Sequence, residues 1–419
     1  MAELARHPRP DRRASVTRTG ICFVLLLVVA ACSDGDSGTG DEPAQATTST
    51  SSTGSAPNTS GDDQMPGGYA VFNGQGNHLD AYEPIPPFRT QRVITSASQD
   101  PNGLDINAQI CFFPDGSGRF VAGEDTGQSE GDLQGWGIFE LEGEKVGDFS
   151  ATQVAKLVPT YQGSADNAEN YGCGFLSDGR IVTTDIGNQA AGDGDGQLIM
   201  WFPPYDSETI AYCKIDVAIA TAQSIWVDDQ DRVYVSSSRP PTSGVWRYSG
   251  PWPTGPTAAE GCGATDSTGA PMVEAPRKEL FIAAGENDLV SPAGLAAGPE
   301  GTLYVSSVFT GIINEYDANG QFIRTILRPP AGESLGAQTY TTGSPLGLGV
   351  GPDGTIFYAD IGLVIDDSGI GPGENNGSVR RITFVDGQPQ PPETMATGLA
   401  FPDGIGILVG GGGSAASRI

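Results

Sequence analysis

The stretch SPAGLAAGPEGTLYVSSVFTGIINEYDANGQFIRTIL, residues 291–327, holds four short apolar runs parted by turns, and the chain repeats it. The runs are GLAAG, TLYVSS, GIINEYD and QFIRTIL. PEG and ANG between them are turn-forming residues. SPLGLGVGPDGTIFYADIG (344–362) copies the first half, and GSVRRITFVDGQPQPPETMATGL completes it. Further copies open with AQICFFPDG at Ala108, YGCGFLSDG at Tyr171 and AQSIWVDDQ at Ala222. Four-stranded units of about 40 residues in series are the pattern of a β-propeller. A sixth unit is split. FPDGIGILV (401–409) matches only the innermost strand, and YAVFNGQGNHLDAYEP with RTQRVITS near residues 69–96 supplies the other three. The expected fold is therefore all-β, a six-bladed propeller whose last blade joins both chain ends. FPDGIGILV should pair with YAVFN, residues 69–73. Closure of this kind leaves no bare sheet edge at the seam. The 60 glycines, 31 prolines and only 17% charged residues agree with many short strands and tight turns.

The first 31 residues follow another logic. Arg6, Arg9, Arg12, Arg13 and Arg18 precede an apolar run at 21–31, which is too short to span a bilayer as a helix and reads as a secretory signal. The run leads into VAAC, which resembles the lipobox of bacterial lipoproteins, with Cys32 as the lipidated residue. Residues 33 to about 68 are almost wholly Ser, Thr, Gly, Asp and Pro, a composition that cannot bury enough surface to fold. The expected organisation is a signal peptide (1–31), a lipidated Cys32 with a flexible tether (32–67), the propeller (68–409) and a tail (410–419). The protein would be exported and held to the outer face of the cell membrane by its lipid. Without residues 1–31 the chain keeps 17 basic and 49 acidic residues, a net charge of −32. That argues against a nucleic-acid partner. Four cysteines remain beyond Cys32: Cys111, Cys173, Cys213 and Cys262. An even number in an exported protein points to two disulfides.

The repeat SPxGLxxxPxGTLYV is similar to that of the NHL-repeat and SMP-30/gluconolactonase/strictosidine synthase-like propellers, over roughly residues 68–409. In such a ring the strands run outward as a, b, c and d. The d–a and b–c connections share one face, and the a–b and c–d turns share the other. The a–b turns are tight here, whereas the b–c loops at 125–135, 185–196 and 360–377 are long. Long loops in a compact domain carry function, so the d–a/b–c face is the expected working face. Three of these loops open on Asp125, Asp185 and Asp360, either as an acidic surface or as caps of the loop backbone. The resemblance implies a divalent metal in the channel, and Asn107, Glu169, Asn170 and Asp403 occupy the matching places, with Gln109 beside them. Carboxylate and amide oxygens suit Ca²⁺. Turn hydrogen bonding explains Asn170 and Asp403 equally well. On the propeller layout Cys111 and Cys173 fall on adjacent inner strands. Cys213 falls on the outer strand of blade 2, beside an insertion of blade 3 that carries Cys262. The expected pairs are Cys111–Cys173 and Cys213–Cys262.

Only His7 and His78 are present, which leaves histidine triads and multi-histidine zinc sites without support. Two readings follow. One is a lipid-anchored propeller that binds a small molecule, polymer or protein on its d–a/b–c face, with Ca²⁺ in the channel. The other, implied by the resemblance, is a metal-dependent lactone or ester hydrolase with Asp403 or Glu169 as base.

Overall fold

A computed structural model describes residues 65–124, 135–159, 170–186, 196–206, 210–273, 277–367 and 369–410. The signal, Cys32, the tether and the tail lie outside these residues. The chain is a six-bladed β-propeller. Blade 1 runs a to d through Ile106–Phe112, Phe120–Glu124, Gly135–Glu142 and Ser150–Leu157. Blade 2 uses Asn170–Phe175, Ile181–Asp185, Gly196–Trp201 and Tyr212–Ile219, and blade 3 uses Ala222–Val227, Val233–Ser237, Gly244–Ser249 and Arg277–Ala283. Blade 4 is Pro292–Ala297, Leu303–Ser307, Ile312–Tyr316 and Phe322–Leu327. Blade 5 is Pro345–Val350, Ile356–Asp360, Gly377–Ile382 and Glu393–Leu399.

Blade 6 is assembled from both ends, in the order Thr90–Ile94, His78–Tyr82, Tyr69–Gln75 and Ile405–Val409. The seam register runs from Tyr69 opposite Val409 to Asn73 opposite Ile405, the pairing expected from the sequence. Order reaches slightly beyond it, because Gly410 N–H donates to Gly68 O and Met65 is buried in the cluster between blades 6 and 1.

The burial pattern explains why the repeats read as apolar runs. Strand b of every blade is buried throughout, with a blade on either side, whereas outer strands such as Ser150–Leu157 alternate toward solvent. The hydrophobic core is accordingly divided into clusters between neighbouring blades. Tyr69, Val71, Phe357 and Ile405 close blade 5 on blade 6, and Phe72, Ile106, Phe120 and Phe149 close blade 6 on blade 1.

Both disulfides form as expected, Cys111–Cys173 between the inner strands of blades 1 and 2, and Cys213–Cys262. They place the chain in an oxidising, extracytoplasmic setting. The blade 3 insertion that carries Cys262 adds two short strands, Ala264–Thr265 and Pro271–Met272, to the outer edge of blade 2, where Met272 pairs in parallel with Lys214. No helix among the described residues is long and apolar enough to cross a membrane.

Candidate functional site: the channel and its two ends

Strand a of blades 1 to 5 carries a bulge near its start. In blade 4, Ala293 and Gly294 together face Ser306 of strand b, between the pairs Pro292–Ser307 and Leu295–Val305. The bulge presses each inner strand against the next. A Cβ at Gly294 would lie 2.4 Å from Leu346 O, and one at Gly347 would lie 2.2 Å from Asp403 O. Hydroxyls on strand b then stitch blade to blade. Ser306 Oγ accepts Gly294 N–H at 2.7 Å and donates to Leu346 O of blade 5 at 3.1 Å. Thr184 does the same for Gly172 and Gln223 of blade 3, and Ser236 donates to Ala293 O of blade 4. The signal for this was in the sequence as the paired hydroxyls at or next to the end of strand b (TT, SS, SS), and sequence reasoning passed over it.

At the seam the stitch changes chemistry. The position matching Ser306 is Gly74, whose missing side chain leaves room for a carboxylate: a Cβ there would lie 2.8 Å from Asp403 Oδ1. Asp403 fills that room. Its Oδ1 accepts Gly404 N–H at 2.7 Å, and its Oδ2 accepts Ala108 N–H of blade 1 at 2.7 Å. Asn73 Nδ2–H adds a bond to Gly404 O at 2.6 Å. Asp403 thus clamps the last strand of the chain to the first blade.

The register also defines which residues ring the channel at this end. Tyr171, Gln223, Ala293, Leu346 and Asp403 occupy equivalent places on the inner strands of blades 2 to 6. Ala108 takes that place in blade 1, its O lying against Gly404 as Leu346 O lies against Gly294. Four of the six, Ala108 among them, are carbon-rich. Tyr171, Ala293 and Leu346 pack with Ile186, Val308 and Ile361, which follow strand b, and with Leu363 and Ile370 from a hairpin in the blade 5 b–c loop. The d–a/b–c end of the channel is therefore stoppered by an apolar cluster.

The remaining candidates fall as follows. Asn107 neighbours Asp403 across Gly74, but its Oδ1 faces its own strand b, where a Cβ at Gly123 would lie 2.1 Å away. Asn170 sits one residue before the ring position and donates to Gly135 O of blade 1. Gln109 spans from blade 1 to blade 3, accepting from Ser224 Oγ at 3.1 Å and Ile225 N–H at 3.3 Å and donating to Ile225 O. Glu169 and Asp125 lie outside the described residues. Asp185 and Asp360 are buried rather than displayed as an acidic surface. Asp360 accepts Ser344 N–H, Gly362 N–H and Ser378 Oγ–H and pairs with Arg380 at 3.0 Å, so it caps the loop backbone. His78 lies on strand c of blade 6 as expected. Its Nδ1 accepts Ser96 N–H at 2.8 Å, and burial pushes its pKa below the ordinary histidine value. Among the described residues no three His, Cys, Asp or Glu side chains cluster as a metal site.

The fold has known company. A luciferin-regenerating enzyme is similar in architecture (TM-score 0.48, 15% identity, 78% of this chain and 88% of that one). So are a chain of the nidogen/laminin complex (TM-score 0.49, 11% identity, 84% and 100%) and the calcium-binding protein regucalcin of Agrobacterium tumefaciens (TM-score 0.39, 13% identity, 70% and 77%). These likenesses concern the propeller alone. No family model matches the chain, and no curated protein does.

The described residues form cavities at the other end of the blades. The larger, about 480 Å³, lies at the a–b and c–d turns of blades 2 to 4 and touches Pro114 of blade 1.

Proposed function

We propose that the protein is an extracytoplasmic propeller, held to the membrane by a lipid on Cys32 through the 33–67 tether, that binds a small molecule, polymer or protein without transforming it. The observation that carries this reading is the employment of Asp403. Its two oxygens accept backbone N–H groups of the seam, and the ring residues on either side of it, Leu346 of blade 5 and Ala108 of blade 1, have no side-chain oxygen to offer a metal. A hydrolase of the gluconolactonase kind would need that carboxylate free for Ca²⁺ or for proton transfer. The described donors fit a seam clamp and do not fit a Ca²⁺ cage.

Asp403→Asn tests this directly. An amide cannot accept at both positions, and hydrogen bonds to a charged group are each worth about 1.5–3 kcal/mol. We expect a loss of about 2–4 kcal/mol in denaturant unfolding, the same with and without added Ca²⁺. Stoichiometric Ca²⁺ in the purified protein that disappears with Asp403→Asn, together with lactone turnover by the metal-loaded protein, would restore the hydrolase reading. For the anchor, Cys32→Ala should move the protein from the membrane fraction to the soluble fraction; retention on membranes would refute a lipid at Cys32.

A further inference from the structure

The larger cavity has a floor of aromatic rings. Trp226, next to last on strand a of blade 3, is half-buried with its ring packed on Tyr234 at 4.6 Å between centroids. Phe281 meets Tyr234 edge-on at 4.9 Å, and Phe175 lines the cavity from blade 2. Aromatic faces carry negative potential and attract cations. Arg232 already lies over Tyr234 and Arg247 over Phe281, so Trp226 and Phe175 are the rings left for a ligand.

The walls carry the matching charge. Five carboxylates line the cavity, and the one cation, Arg232, is already paired with Asp228. The other four have no ion-pair partner among the described residues. Asp231 accepts from Ser177 N–H and Oγ–H, both at 2.7 Å, and Asp317 accepts the N–H groups of Asn319 and Gln321 at 2.8 Å. These neutral bonds fix the carboxylates without discharging them. Asp229 and Glu300 stand exposed at the rim. The whole chain, at net −29, reinforces the local field. A smaller adjoining cavity shares Arg232 and also carries Arg247 and Arg277, but Asp228 and Glu279 neutralise the first two.

We propose that this cavity binds an organic cation, an ammonium group on a short apolar stem such as a polyamine. The inference rests on the binding reading and gives it a ligand class and a place, the a–b/c–d face. The stem would lie on Trp226 and Phe175, with the ammonium reaching the Asp229, Glu300 and Asp317 carboxylates.

Calorimetric titration of the full mature chain with spermidine at about 0.15 M salt, where loose counter-ion attraction is screened, tests it. We expect saturable single-site binding. Trp226→Ala should weaken it about tenfold, the scale of the apolar stem losing the ring it lies on, while Trp226→Phe keeps most of it. The surface pair Asp229→Asn/Glu300→Gln, which leaves the aromatic floor intact, should weaken it about as much. Asp386→Asn, an exposed acid of the blade 5 c–d turn that does not line the cavity, should change nothing. Heats that never saturate, or equal losses from Asp386→Asn and the rim pair, would overturn the inference. Either result leaves the choice between binding and hydrolysis to the Ca²⁺ and lactone measurements.

Discussion

A chain ended after Ala400 will not show the cooperative unfolding of the full propeller. The deletion removes strand a of blade 6, which pairs residue for residue with Tyr69–Asn73. All seven residues of Tyr69–Gln75 are buried in the closed ring, so the cut lays bare an unpaired edge that is apolar from Tyr69 to Phe72. It also removes Ile405 from the cluster with Tyr69, Val71 and Phe357, and it removes both bonds of Asp403. Loss of a buried Ile side chain costs about 2–5 kcal/mol. Two charge-assisted hydrogen bonds add about 3–6 kcal/mol. Together they approach the whole stability of a typical domain, about 5–15 kcal/mol. Circular dichroism on heating reads the result. Ile405→Ala serves as the graded control and should fold, with a loss near the single-side-chain value. A truncated protein that melts as sharply as the full one, within a few degrees, would show that blade 6 is not what closes the ring.

That seam was legible because FPDGIG repeats SPAGLA and SPLGLG, and an inner strand without its own b, c and d must borrow them. The cysteine pairs followed from the same layout. The channel chemistry was not legible, for a physical reason. Asp403 stands in the register place that Ala293 and Leu346 hold elsewhere, and the sequence marks it as an odd carboxylate near the axis. What assigns its role is Gly74, more than 300 positions away, whose absent side chain admits the carboxylate to two backbone donors. The repeated DIG likewise reads as an acidic loop surface until Asp360 is seen facing Ser344 and Gly362. A linear pattern gives the residue type at the mouth of a blade. It does not give which way a side chain of two rotatable bonds turns. The a–b/c–d cavity was missed for a similar reason. Its turns PDG, SDG, DQD and PEG look like ordinary tight turns, and only their convergence at the ends of blades 2 to 4 sets carboxylates around Trp226.

The second large effect concerns Lys214, the most deeply buried cation of the described chain. Its side chain is wholly enclosed on the outer strand of blade 2, and its Nζ lies 2.6 Å from Asp266 Oδ2 in the blade 3 insertion. Asp266 uses its other oxygen to accept Thr268 N–H, Thr268 Oγ–H and Ala270 N–H. Lys214→Ala therefore leaves a carboxylate without its counter-ion at a site 1% exposed, and we expect a loss of about 3–5 kcal/mol in urea. Arg328 and Asp288 form an equally short pair, 2.6 Å, but with both side chains 55% exposed, so Arg328→Ala should cost under about 1 kcal/mol. Distance is matched between the two sites, while burial differs from wholly enclosed to half-exposed. The pair also has an acid limit. Burial works to raise the Asp266 pKa, but the hydrogen bonds from Lys214 and Thr268 outweigh it and hold the group below its ordinary value of 3.8. The stabilisation is then present above that value and fades as pH falls through the lower folded one. Lys214→Ala and the wild type should consequently converge in stability at the acid end while staying apart at neutral pH. Parallel curves over the whole range would mean that the Lys214 stem, filling space, matters more than its charge.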